Sequence, residues 1–131
     1  MVVFGSDSIS DMWALSLSGV PAWTPLVLTG SPPSARLYHT AIYDPVRDRV
    51  VIFGGSFGSY DNGVWALSLS GSPAWSDLAP AGSPPSARSQ HTAIYDPVRD
   101  RMVVFGGDDG TNRNDVWALS LAGSPAWSEL A

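Results

Sequence analysis

The chain has 131 residues, with seven arginines, no lysine, twelve acidic residues, two histidines and no cysteine, for a net charge of −5. Thirteen glycines and eleven prolines make it rich in turns, while 44% hydrophobic residues and six tryptophans supply a core, so the composition is that of a globular chain. It excludes a disulfide scaffold, a thiolate zinc site and a cysteine nucleophile, argues against nucleic-acid binding through its acidic balance, and contains no apolar run approaching the roughly 18 residues of a membrane-spanning helix.

Taken in order, the chain opens on MVVFG, which matches Met102 to Gly106. Trp13 and Trp23 follow, each 52 residues before Trp65 and Trp75, which lie 52 before Trp117 and Trp127. From residue 31 the repetition is nearly complete: residues 31–79 align with 83–131 at the same offset of 52, with 12 differences in 49 positions. A repeat of this length is the first fact a fold assignment must satisfy.

Each full unit predicts four short strands. HTAIYD, at 39–44 and 91–96, ends in an Asp-Pro turn, where Asp favours the first turn position and Pro presets φ. VVIFGG at 50–55 returns as the second strand of a hairpin with the polar tip VRDR. A glycine-rich polar loop leads to VWALSL at 64–69, whose large residues alternate with small ones. SGSP turns the chain into AWSDL at 74–78, the fourth strand. No segment sustains a 3.6-residue apolar period.

Four antiparallel strands repeating near 50 residues point to an all-β fold, a β-propeller built of blades. The Gly54-Gly55 and Gly106-Gly107 pairs, the Arg and His opening the first strand, and the two Trp spaced ten apart resemble the kelch family over the whole chain. The expectation is a kelch-like propeller segment of three blades: a partial one at 1–30 that lacks its inner strand, and full ones at 31–82 and 83–131. Three blades fall short of the usual four to eight. The expected partner is therefore a second copy, giving a homodimeric six-bladed ring, with a truncated or purely structural self-assembling segment as the alternative.

Antiparallel geometry puts the loop before the first strand and the loop after the second on one face. Eight of the 12 differences between units fall there: at 37, 38, 56, 57, 59, 60, 61 and 63 and their counterparts. The opposite-face DPVRDR turns are identical, each balancing two acids with two arginines. A constant scaffold with one varied face is how repeat folds build binding surfaces. The face carries Asp7, Asp11, Asp61, Asp108, Asp109 and Asp115 against Arg36, Arg88 and Arg113.

The expected function is non-enzymatic interaction with a protein or peptide through Arg36, Tyr38, Phe57, Tyr60, Asp61, Arg88, Asp108, Asp109, Asn112 and Arg113; a part in a carbohydrate-active propeller is the alternative. Arg36 and Arg88 enter through the kelch resemblance, which implies that the arginine opening the first strand contributes to partner binding. The residues alone favour a structural role, in which they bond loop carbonyls or a neighbouring unit's carboxylate. His39 and His91, copied at equivalent positions, are expected to bond backbone near a central channel, and the repeated tryptophans to pack between blades. The 108–115 loop is oxygen-rich but lacks an EF-hand's alternation and terminal Glu and has Arg113 in its middle, so no metal is expected. Cofactors and catalytic residues are likewise not expected: no Gly-x-Ser-x-Gly elbow is present, and the copper oxidases among kelch-like propellers need a cysteine.

Overall fold

The computed structural model describes residues 2–4 and 12–131, and among them every regular element is a strand. The first sheet has the order β1-β2-β3, formed by β1 (Val2–Phe4), β2 (Met12–Leu15) and β3 (Trp23–Pro25), all antiparallel. The second sheet contains β4 (Thr29–Gly30), β5 (Thr40–Asp44), β6 (Arg49–Phe53), β7 (Val64–Ser68) and β8 (Ala74–Asp77), in the order β4-β8-β7-β6-β5. The third has the order β12-β11-β10-β9, from β9 (Thr92–Asp96), β10 (Arg101–Asp108), β11 (Asn112–Ser120) and β12 (Ala126–Glu129). This is an all-β architecture of successive antiparallel sheets, one for each repeat, as the repeat implies.

Two features depart from the four-strand expectation. The segment leaving the first sheet runs along the outer edge of the second as β4, parallel to β8, with Thr29 pairing Ala74. Ala81 repeats the contact one unit on, bridging Ala126, accepting from the Trp127 amide at 2.9 Å and donating to the Pro125 carbonyl at 2.9 Å. The linkers thus tie each sheet to the next and cover an edge that would otherwise be free. In the third sheet the second and third strands continue past a bulge at Phe105–Gly107, so that Asp108 pairs Asn112. These two residues, expected in a loop, are strand residues flanking a three-residue tip.

Alternation along the strands gives each sheet two apolar faces. Val50, Ile52, Leu67 and Trp75 of the second sheet pack back onto Met12, Leu26 and Leu28. Its other face, Ile42, Val51, Phe53, Val64 and Ala66, packs forward onto Met102, Val104, Leu119, Leu121 and Trp127 of the third. Trp75 and Trp127 are buried between sheets, as expected of the repeated tryptophans; Trp13 and Trp23 are 44% and 52% exposed. The identical DPVRDR turns do more than balance themselves: Arg47 reaches across to Asp100 of the next turn.

Candidate functional site

The face of differing loops is organised by the two arginines that open the inner strands. Arg36 is buried and donates to the Ser34 carbonyl (3.1 Å), the Gly54 carbonyl (3.0 Å) and the Asp61 carboxylate (2.9 Å). Arg88, 1% exposed, repeats this with the Ser86 carbonyl (3.1 Å), the Gly106 carbonyl (2.8 Å) and both oxygens of Asp115 (2.6 and 2.8 Å). The bond to Arg88 holds the Asp115 carboxyl down at about 2. Both guanidinium groups are therefore enclosed and committed to a carboxylate of their own unit, not a neighbour's. Of the two roles open to them, loop anchoring is the one the geometry displays.

Asp61 and Asp115 are not aligned residues. The counterpart of Asp61 is Arg113, and the counterpart of Asp115 is Gly63. A Cβ built on Gly63 would lie 2.8 Å from the Asp61 carboxylate oxygen, so a carboxylate reaches the arginine from either position. Arg113, freed from that place, pairs instead with Asp109 at 2.7 Å, and this bond with those from Ser86 and Thr111 holds the Asp109 carboxyl far below its ordinary range. Asp115 was one of the differing positions, but only the fold reveals that it replaces Asp61.

The loop backbones are equally fixed. Gly55 and Gly107 sit at φ 100°, where a Cβ would lie 2.8 Å from the Leu37 carbonyl oxygen and 2.7 Å from that of Ser89, so the glycine pairs serve close backbone approach. Tyr38 and Gln90 occupy equivalent left-handed positions at φ 59° and 57°, costly for a bulky residue and held here by the Gln90 amide donating to the Tyr38 carbonyl at 3.0 Å. The bend turns Tyr38 outward, 61% exposed.

What remains for solution is mainly aromatic. Tyr38, Phe57 and Tyr60 project from the second unit, Phe57 at 66% and Tyr60 at 38% exposure. Tyr38 and Tyr60 flank a cleft of about 340 Å³ whose other wall is Ser89 and Gln90. Burial first, and then the nearby Asp108 carboxylate, raise the pKa of the Tyr60 hydroxyl. Asn112 and Arg113 lie exposed on the neighbouring hairpin. Asp7 and Asp11 lie outside the described residues.

His91 is buried between the second and third sheets, its ring 4.9 Å from that of Phe53. Burial brings its pKa down to about 4, opposed by the Phe53 backbone and reinforced by Arg88 and His39. His39 is shifted the same way, chiefly by burial.

Comparison with known proteins places these features. The KLHDC2/KLHL20/DRC7 Kelch-repeats domain matches residues 1–131. Human host cell factor 2 is 34% identical over 106 residues, covering 76% of this chain and 13% of that protein. The Drosophila melanogaster homologue of leucine-zipper-like transcriptional regulator 1 is 30% identical over 137 residues, covering 96% of this chain and 13% of its own. The chain thus spans about an eighth of the length of these relatives. Among solved structures, a fungal alcohol oxidase of the AA5 family, determined with copper, superposes with a TM-score of 0.67 at 18% identity, over 93% of this chain and 27% of its own. A chain of the RAG complex with one melted and one unmelted RSS gives 0.62 at 21%, over 92% of this chain and 41% of its own. At such identities the likeness is one of fold.

Proposed function

The chain belongs to the kelch-repeat family, and on that premise we propose that it is a non-enzymatic interaction module that engages a protein or peptide through the face of its differing loops. The observation that carries this reading is a division of labour on that face. The ionisable groups are largely consumed internally, as Arg36–Asp61, Arg88–Asp115 and Arg113–Asp109 pairs, while Tyr38, Phe57 and Tyr60 stand exposed on the loops so fixed. Rigid loops presenting aromatic side chains suit recognition; chemistry would need free acids, bases or nucleophiles. In this reading Arg36, Asp61, Arg88 and Asp109 act by shaping the face, and Tyr38, Phe57, Tyr60, Asp108, Asn112 and Arg113 by presenting it.

The test is a Phe57→Ala/Tyr60→Ala double variant. It should keep the far-UV spectrum and melting temperature of the parent and lose the proteins that the parent retains on an affinity column. Unfolding of the variant, or an unchanged set of retained proteins, would overturn the reading.

A second copy is the partner we propose for the outer sheets, completing six blades from units bounded at 30/31 and 82/83. Ile42 and Phe53, buried against the third sheet, have Ile94 and Phe105 as counterparts, 64% and 52% exposed. Trp75, buried against the first sheet, has Trp23 as its counterpart, 52% exposed. The two open faces are thus opposite halves of the interface already used within the chain, the arrangement a head-to-tail ring needs. Light scattering should give a two-chain particle; a folded monomer at micromolar concentration would sink the dimer.

A further inference from the structure

We infer that the cleft between Tyr38 and Tyr60 is a binding site for a cationic side chain, an arginine or lysine of the partner polypeptide. The inference rests on the loop face being the partner-binding surface and specifies the chemistry it selects.

The charge inventory comes first. Among the described residues, this face holds Asp61, Asp108, Asp109 and Asp115 against Arg36, Arg88 and Arg113. All three arginines are matched: Arg36 to Asp61 at 2.9 Å, Arg88 to Asp115 at 2.6 Å, Arg113 to Asp109 at 2.7 Å. Asp108 has no cation among them. Its carboxylate accepts from the Gly110 amide at 2.8 Å, a neutral donor that stabilises the charge without cancelling it, and it lies close enough to Tyr60 to raise the phenol's pKa.

The surroundings of that carboxylate form a receptor. Asp108 is locked to Ser89 by two backbone hydrogen bonds of 2.9 Å, and Ser89 and Gln90 line the cleft. Tyr38 and Tyr60 line it from the other repeat. A cation entering between two tyrosine rings gains from their π-faces and from the carboxylate at the rim; an anion would meet a repulsive field. Tyr38 owes its outward setting to a left-handed backbone at φ 59° bonded by the Gln90 amide, so the backbone that carries the ring is set before any ligand arrives, which lowers the cost of binding. Between the two full units the positions equivalent to Tyr38, Tyr60 and Asp108 are Gln90, Asn112 and Ser56, so neither unit alone carries the combination that their junction brings together.

The test is an NMR titration of the whole chain with acetyl-Gly-Arg-Gly amide and with its citrulline counterpart, which keeps the shape and loses the charge. The arginine peptide should shift amides of residues 56–60, 89–90 and 108 and bind at least about threefold more tightly than the citrulline peptide. Asp108→Asn and, separately, Tyr38→Ala should each remove that preference with the remaining spectrum unchanged. Equal binding of both peptides at these amides would overturn the cation selectivity and leave the face as a recognition surface. Shifts confined to other regions, or a preference that survives Asp108→Asn, would overturn the site. Whether the face recognises partners at all is read independently, from the proteins lost by the Phe57/Tyr60 double variant.

Discussion

Arg47 of one turn donates to the Asp100 carboxylate of the next at 2.7 Å, while its other nitrogen holds Asp44 of its own turn at 3.0 Å. One guanidinium thus clamps two sheets on the face opposite the differing loops. Arg49 also holds Asp44, which is fully enclosed, at 2.8 Å. Removing Arg47 leaves that buried carboxylate with one arginine in place of two, and Asp100 with Tyr95 as its remaining side-chain donor. Because Arg47 and Asp100 are each about a quarter exposed, the pair is partly screened, and we expect Arg47→Ala to cost about 1–2 kcal/mol in urea unfolding. Arg99 is the aligned residue but is 64% exposed and bonds only Asp96, at 3.3 Å; Arg99→Ala should leave the urea midpoint unchanged.

The Arg88–Asp115 pair offers a sharper experiment, because the other unit shows an alternative solution to the same problem. Asp115→Gly should destabilise the fold by about 2–4 kcal/mol, since it strands an enclosed guanidinium. Adding Arg113→Asp copies the arrangement by which Asp61 serves Arg36, and most of the loss should return. Arg88→Lys should not be tolerated, as an ammonium cannot reach Gly106, Ser86 and both Asp115 oxygens from one planar fork. Denaturant midpoints of the three variants decide this; failure of the double change to recover stability would show that the two units are not interchangeable.

The contrast between these pairs explains how much the sequence discloses. Strand positions, the blade-like period and the inter-sheet tryptophans are legible because they repeat: the same strand and turn residues at one offset specify the same local structure. Asp61 and Arg113 mislead for the opposite reason. They align, differ in sign and look like a varied recognition position, when one is an anchor and the other answers to Asp109. Only the folded loop, in which the Asp61 carboxylate lies where a Gly63 side chain would begin, relates Asp61 to Asp115. The Arg47–Asp100 clamp is hidden as well, since a turn with two acids and two arginines appears self-sufficient until a neighbour is placed beside it. The parallel edge strand at Thr29–Gly30 carries no alternation to betray it, being only two residues long.

Phe53 and Phe105 occupy aligned positions with opposite surroundings, so truncating each asks what their common face is for. Phe53 lies 4.9 Å from the rings of both His91 and Trp127 and has no exposure. Phe53→Ala should therefore cost about 3–5 kcal/mol, the range for opening a cavity at a buried aromatic. Phe105, about half exposed, should cost under about 1 kcal/mol in a single chain. In a two-chain particle the second value should rise toward the first and the melting temperature should depend on protein concentration. Equal and small effects of Phe105→Ala at all concentrations would separate this face from assembly.

His91 makes stability depend on pH in a window of its own. Its pKa falls from an ordinary value near 6.5 to about 4 on folding, so between those limits the unfolded chain binds a proton that the folded chain does not. Stability therefore holds above about pH 6.5 and declines as pH is lowered toward 4. The decline is on the order of 2–3 kcal/mol if the whole shift is expressed. His39, lowered by burial as well, contributes in the same direction. The carboxylates that arginines hold down, Asp115 at about 2 and Asp100 below its usual range, also stabilise the fold. Their contribution is lost at more acid pH, below the unfolded carboxylate value near 4. Urea unfolding at pH 7.5, 6, 5 and 4.5 separates the two sets. His91→Leu, which keeps an apolar group between Phe53 and the third sheet, should flatten most of the slope between pH 6.5 and 4.5 and leave the more acid transition in place. An unchanged slope in that variant would mean that His91 is not the group responsible.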